Sequence, residues 1–591
     1  MRGDGRQDVS SRARASRGRR TSPVAAVALV VVAGLVAGGC SAGGAPSLAA
    51  SAAAASSSSS SSSGSAVPGG SPSGGAPSGA VPSGAVPSSA GPAGLAGAAG
   101  GASSVTPLEP LPAAVPPALA PYYAQRLGWT PCDDGYECTT FRVPLNYDRP
   151  ADGDLTLAAV RAPAAPAGAG DTAAPGERLG SLLLNPGGPG GSAVEYVEGV
   201  ARTYDAGVRA RYDLVGLDPR GVGRSSPVTC LDGERMDAYT AADITPDDQS
   251  EVDALVAAAK EFTEGCRQRS GDRLGHLSTV EAARDLDVLR ALLGDERLHY
   301  VGKSYGTFLG ATYAGLFPGR TGRMVLDGAM DPSLDSLAGN RTQAGGFETA
   351  WAAFARDCAD REDCPLGRTE QQAGEQLTAL FAAVDAHPLT TTDGARRLSE
   401  AQATTGVIQA MYADFLWPRL RTALADARAG DGSGLLKLSD AYYERAADGS
   451  YPNLMFANMA VNCLDLPAPF AGPDDAARAV PDFERTSPRF GRDMAWMALT
   501  CTYWPVRPTG TPHTVRAAGA APIVVVGTTR DPATPYAWAR ALAGQLESGR
   551  LLTYDGDGHT AYGRHDTCLD GAVNRFLLGG EPPENGKTCG R

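Results

Sequence analysis

The 591-residue sequence predicts an α/β fold: a mainly parallel central sheet covered by helices, with a large helical cap inserted before the last strands. Three observations carry this prediction. Short apolar runs at 180–185, 212–217, 298–301 and 323–326 alternate with segments of helical periodicity, clearest at 279–293 and 307–316. Several runs end in Gly- and Pro-rich turns, where ligands gather in a parallel sheet. Between 335 and 510 the pattern becomes mostly helical and aromatic, with Trp351, Phe354, Tyr412, Phe415, Trp417, Tyr442, Tyr443, Met455 and Phe456. Strand-like runs then return at 522–526 and 551–554.

In chain order, residues 1–40 read as an export signal. A polar segment with seven Arg precedes an apolar run at 23–37, then Gly38-Gly39-Cys40. The run is short for a membrane-spanning helix. A Cys directly after small residues resembles a bacterial lipoprotein signal, in which that Cys becomes the lipid-carrying N-terminus. Ala37 stands where such signals usually have Leu. Cys40 is therefore the expected lipidation site and membrane attachment, and the expected location is the cell envelope or the medium. Residues 41–108 contain no charged side chain and are almost entirely Ala, Ser, Gly and Pro. Such a stretch has little bulky apolar area to offset chain entropy, so it reads as a flexible spacer.

The net charge of −13 argues against a nucleic-acid partner. Cys40 apart, ten cysteines remain, an even number that in an exported chain points to disulfides. Sequential pairing would close five modest loops; other pairings stay open. No C-x-x-C occurs and the six His do not cluster with the Cys, so no metal site is expected.

The folded body divides into a first core part at 109–334, the cap at 335–510 and a second core part at 511–591. Residues 141–145 and 155–160 read as a hairpin. The run Gly180–Asn185 is a buried strand that ends in Pro186-Gly187-Gly188-Pro189-Gly190-Gly191. The next run leads into Asp218-Pro219-Arg220-Gly221-Val222-Gly223-Arg224-Ser225. The third leads into Gly302-Lys303-Ser304-Tyr305-Gly306, a G-x-S-x-G between a strand and an apolar helix. Small residues there permit a tight turn that lifts Ser304 above the sheet at a helix N-terminus. A serine hydroxyl needs a base close by. His559 follows the last strand-like run on a Gly-rich loop; His565 is its main rival, and His299 belongs at the wrong end of its strand. The base in turn needs a carboxylate to hold its tautomer. Asp531 follows the buried run at 523–530 directly, with Asp327 and Asp557 as rivals. The backbone N–H of Tyr305 supplies the first oxyanion donor, and Gly188 in the Gly-rich turn the second.

Together these stretches, with Asp531-Pro532-Ala533-Thr534-Pro535 and Gly558-His559, resemble the secreted tripeptidyl aminopeptidases of actinobacteria, in the proline iminopeptidase-like group of α/β-hydrolases. The resemblance runs from about residue 122 to the C-terminus. It implies an α/β-hydrolase fold, Ser304 as nucleophile, Asp531 as orienting acid and His559 as base, with no metal or organic cofactor. It also implies peptides or proteins with a free N-terminus as substrates. A desolvated α-ammonium needs a carboxylate partner. The cap offers Glu348, Asp414, Glu444 and Asp465, of which Glu348 and Asp465 are favoured. A carboxylester hydrolase with the same triad and a non-catalytic envelope binding protein are the competing readings.

Overall fold

The computed structural model describes residues 105–591 except 134, 166–176 and 591. Cys40, the export signal and all but the last four residues of the expected spacer lie outside the described residues. Those four belong to the folded body: Thr106–Pro107 pairs in parallel with His513–Thr514. No helix among the described residues is long and apolar enough to cross a membrane.

Ten strands form one sheet. In chain order they are β1 (Thr130–Pro131), β2 (Glu137–Pro144), β3 (Asp154–Ala162), β4 (Gly180–Asn185), β5 (Tyr212–Leu217), β6 (Leu298–Lys303), β7 (Thr321–Asp327), β8 (Ile523–Arg530), β9 (Gly549–Asp557) and β10 (Lys587–Gly590). Across the sheet they run β10-β9-β8-β7-β6-β4-β5-β3-β2-β1. Strands β4 to β10 are parallel to their neighbours within that block. The expected hairpin is β2–β3, antiparallel from Glu137↔Arg161 to Pro144↔Asp154, and β3 joins the block antiparallel to β5. Strand β4 is buried on both faces, which explains its unbroken apolar run. Parallel register brings the carboxyl ends together: Asn185 pairs with Gly302, Lys303 with Asp327, and Arg530 with Asp557.

The elements that the periodicity located are present, with somewhat different bounds. The helix Tyr305–Leu316 is buried along its whole length, so it shows almost no amphipathic stripe. From Ser336–Ala359 to Ala498–Tyr503 the chain is mostly helical. Trp351, Phe354, Trp417 and Leu420 form a separate core there, whereas Tyr443 and Phe456 pack into the core of the sheet. Phe415 is the exception, 57% exposed. The five disulfides follow the sequential pairing: Cys132–Cys138, Cys230–Cys266, Cys358–Cys364, Cys463–Cys501 and Cys568–Cys589. Asp566 lies close to the last pair, but both sulfurs are joined to each other and are not free thiolates.

The motif at 218–225 is a structural brace. Asp218 accepts hydrogen bonds from Ser192 Oγ, Val194 N and Arg224 N. The Arg220 guanidinium is buried and forms a bidentate pair with Asp285, at 2.7 Å for both bonds.

Candidate active site

The residues at the carboxyl edge of the sheet meet as follows. Ser304 sits between β6 and the helix Tyr305–Leu316 with φ 55° and ψ −125°. A non-glycine residue tolerates this only where its surroundings enforce it. Gly302 and Gly306 make room for the turn: a Cβ on Gly302 would come within 2.3 Å of Gly306 O, and one on Gly306 within 2.7 Å of Asn185 Oδ1. The side chain of Ser304 thereby opens onto a cavity of about 190 Å³ that His559 also lines.

His559 is 2% exposed. Its Nδ1 lies 2.8 and 3.0 Å from the two carboxylate oxygens of Asp531. A proton on Nδ1 donates to that carboxylate and leaves Nε2 as the acceptor. Asp531 is equally buried and also accepts from the backbone N–H groups of Ala533, Thr534 and Thr560. Thr534 Oγ1 is 3.3 Å from His559 Nδ1. The His559 N–H donates to Tyr412 O at 2.8 Å, and the Tyr412 ring stands edge-on to the imidazole at 5.4 Å.

The rival acids and bases are engaged elsewhere. Asp327 accepts from Ala561 N and Tyr562 N and lies 3.9 Å from the ammonium of Lys303, so it fixes the loop that follows His559. Burial pushes Lys303 down to about 8. Asp557 pairs with Arg530. His565 lines a different cavity with Lys303 and Tyr562. His299 accepts from Arg323 N near the amino ends of the strands, where burial lowers it to about 4.

The Gly187–Gly188 turn closes over Ser304. A Cβ on Gly187 (φ 97°) would fall 2.5 Å from Lys303 O, 2.8 Å from Ser304 Cβ and 3.0 Å from Tyr305 N. The Gly187 N–H is taken by Asn185 Oδ1. Gly188 (φ 112°) lines the cavity together with Ser304.

A family model for TAP-like proteins matches residues 487–589. Over 498 residues the chain is 39% identical to the serine protease Hip1 of Mycobacterium tuberculosis, covering 79% of this chain and 92% of that one. The chain belongs to the TAP-like family of α/β-hydrolases. Within this family it is 37% identical over 494 residues to carboxylesterase B of M. tuberculosis, covering 80% of this chain and 91% of that one. It is 34% identical over 493 residues to the tripeptidyl aminopeptidase of Streptomyces lividans, covering 80% and 88%. This TAP-like chain is a serine hydrolase.

The two favoured carboxylates do not reach the TAP-like cavity. Glu348 is held by Arg489, Ser487 Oγ and Arg489 N within the cap. Asp465 accepts from Thr279 N at 2.7 Å and Thr279 Oγ1 at 2.5 Å. Asp414 lines a separate cavity with Arg530 and Asp557. The carboxylates that line the cavity with Ser304 are Glu444 and Glu195, and its lining contains no Lys or Arg. Glu444 has a left-handed backbone, φ 55°, just past the helix Ser433–Tyr442. Burial, and then the charge of Glu195, pushes its carboxyl up to about 7. Burial also raises Glu195, with Asp218 adding to it. Glu195 lies in the first turn of the helix Ala193–Val200, directly after the Gly-rich turn, and that position is the signal that marks it.

Proposed function

We propose that this serine hydrolase is an exopeptidase that removes short peptides, tripeptides by likeness to the Streptomyces enzyme, from free N-termini. The observation that carries the reading is the charge of the cavity: Glu195 and Glu444 face it, with no cationic side chain in its lining. A substrate α-ammonium entering this space finds partners for its charge, whereas a neutral ester gains nothing from them.

In the proposed mechanism His559 Nε2 takes the proton of Ser304 Oγ as the oxygen attacks the peptide carbonyl. The tetrahedral oxyanion lies against the N–H groups of Tyr305 and Gly188. His559, held by Asp531, then gives its proton to the leaving amine. Water hydrolyses the acyl-enzyme with His559 again as base, and the short peptide leaves.

The test offers matched tripeptide amides with free and acetylated N-termini, and short esters, and reads products by mass spectrometry. The reading expects fast release of a tripeptide from the free-amine substrate. Equal turnover of the acetylated peptide would overturn it, and turnover of the short esters alone would favour a carboxylester hydrolase. The same proposal places the protein outside the cytoplasm, carried by lipid on Cys40, and five disulfides support an oxidising compartment. Intact mass of the native protein showing no lipid on an N-terminal Cys40 would refute the anchor.

A further inference from the structure

Asp465 does not bind in the cavity, yet its placement is unusual. It is the last residue of the helix Leu454–Asp465, where the helix dipole disfavours an anion. Leu454, Met455 and Asn458 of this helix line the cavity with Ser304. Both oxygens of the carboxylate turn to the start of the helix Thr279–Leu293, accepting from the backbone N–H and the hydroxyl of Thr279. Thr279 Oγ1 is in turn 2.5 Å from Tyr305 Oη. Burial pushes the Asp465 carboxyl up to about 7, so at pH 8 it is ionised and accepts the one hydrogen bond that the Thr279 hydroxyl can donate. The phenol of Tyr305 therefore donates to Thr279. All three groups are buried or half-buried, and the disulfide Cys463–Cys501 fixes the chain two residues before Asp465.

Tyr305 is the residue after Ser304, and its ring and its N–H belong to one rigid helix start. Its N–H lies against the Gly187 turn, beside Ser304 Cβ. We propose that Asp465 and Thr279 are positioning residues that act through the Tyr305 phenol to aim the Tyr305 N–H at the oxyanion. The chain Asp465–Thr279–Tyr305 links a wall of the substrate cavity to the oxyanion hole. This inference rests on the serine-peptidase reading above, because it needs an oxyanion at Ser304.

Loss of an oxyanion donor costs on the order of 10²–10³ in turnover. A donor that is displaced and not deleted costs less, about tenfold. The experiment compares Asp465→Asn, Thr279→Val, Thr279→Ser and the double variant Asp465→Asn/Thr279→Val on a free-amine tripeptide substrate at pH 8. Asp465→Asn and Thr279→Val should each lower kcat about tenfold and leave KM within about twofold. Both should weaken inhibition by a tripeptide aldehyde, whose adduct carries an oxyanion, by a similar factor. Affinity for the tripeptide product should stay unchanged. Thr279→Ser should retain wild-type kcat, and the double variant should be no worse than either single one, since one chain is cut once. Unchanged kcat in folded Asp465→Asn and Thr279→Val, or a kcat loss without loss of aldehyde inhibition, would overturn the relay. So would a Thr279→Ser variant as impaired as Thr279→Val. If Asp465→Asn does not fold, Thr279→Val decides alone. A wild-type protein that no fluorophosphonate labels at Ser304 would overturn the serine-peptidase reading itself, and that labelling is scored separately from the variants.

Discussion

Glu444→Gln is the most direct perturbation of the proposed specificity. It keeps the size of the side chain and removes one of the two negative charges in the cavity. At 4 Å and an effective dielectric near 20, a carboxylate and an ammonium attract by about 4 kcal/mol, an upper bound. Net contributions of hydrogen bonds to charged groups are about 1.5–3 kcal/mol. At 1.4 kcal/mol per factor of ten, KM for a free-amine tripeptide substrate should rise about ten- to a hundredfold. Its kcat should change little, because ground-state and transition-state binding fall together. The pH dependence supplies a second reading. Burial first and Glu195 second push the Glu444 carboxyl up from its ordinary 4.5 to about 7. It is ionised above that pH, and as pH falls through 7 it takes a proton and ceases to attract the substrate. A peptide α-amino group loses its own charge above a pKa of about 7.7–8.0. For the wild type, kcat/KM on the free amine should therefore peak between the two values. In Glu444→Gln the acid-side rise in KM should vanish. Steady-state kinetics from pH 5 to 9 on free and N-acetylated substrates measure all of this. An unchanged KM, or an equal loss on both substrates, would refute the assignment of Glu444.

Four further outcomes test the site and the fold. Ser304→Ala should abolish fluorophosphonate labelling and peptide turnover, and Asp531→Asn should lower kcat on the order of 10⁴-fold with the fold intact by circular dichroism. Gly187→Ala should inactivate the enzyme per folded molecule, because the added Cβ would meet Lys303 O at 2.5 Å and Ser304 Cβ at 2.8 Å; wild-type turnover would remove the turn from the site. Replacing Cys463 and Cys501 with Ser opens a loop with a sequence separation of 38 residues. It should cost about 3–4 kcal/mol in urea unfolding on the chain-entropy account.

The strand ends that carry Ser304, Asp531 and His559 were legible because their signals are local. Ser304, Asp531 and His559 each stand directly after a short apolar strand, and parallel pairing carries those strand ends to one side without further information. The alternatives were separated only by partners far away in sequence: Asp327 by the backbone of Ala561 and Tyr562, Asp557 by Arg530. Which carboxylates line the cavity was not legible. Whether Glu348, Asp465 or Glu444 faces Ser304 depends on how the cap helices cross, and Arg489 and Thr279 capture the first two. The edge strands also escaped. Thr130–Pro131 is too short for any period, and Lys587–Gly590 is a strand because it pairs with Leu552–Asp555 and is tied by Cys589 to Cys568. The helix Gln249–Ser270 carries a capping box, Asp248 with Glu251, that would have marked its start.

The cap of this enzyme is more than a cover over a finished site. Tyr412 supplies the carbonyl that holds the His559 N–H, and its ring abuts the imidazole. Asn458 donates to Pro189 O, and Gly190 passes so close to Leu454 O that a Cβ there would fall within 2.3 Å. Asn453 bonds Gly221 O and Gly223 N at one end of the helix Leu454–Asp465, and Asp465 bonds Thr279 at the other. The helix that lines the cavity is thus fastened to the sheet domain at both ends and against the Gly-rich turn. Lifting it would break hydrogen bonds at the oxyanion turn, and lifting the segment at Tyr412 would free the base. The segment from Tyr412 to Asp465 is thus part of what holds the cavity in shape, and not only a roof over it.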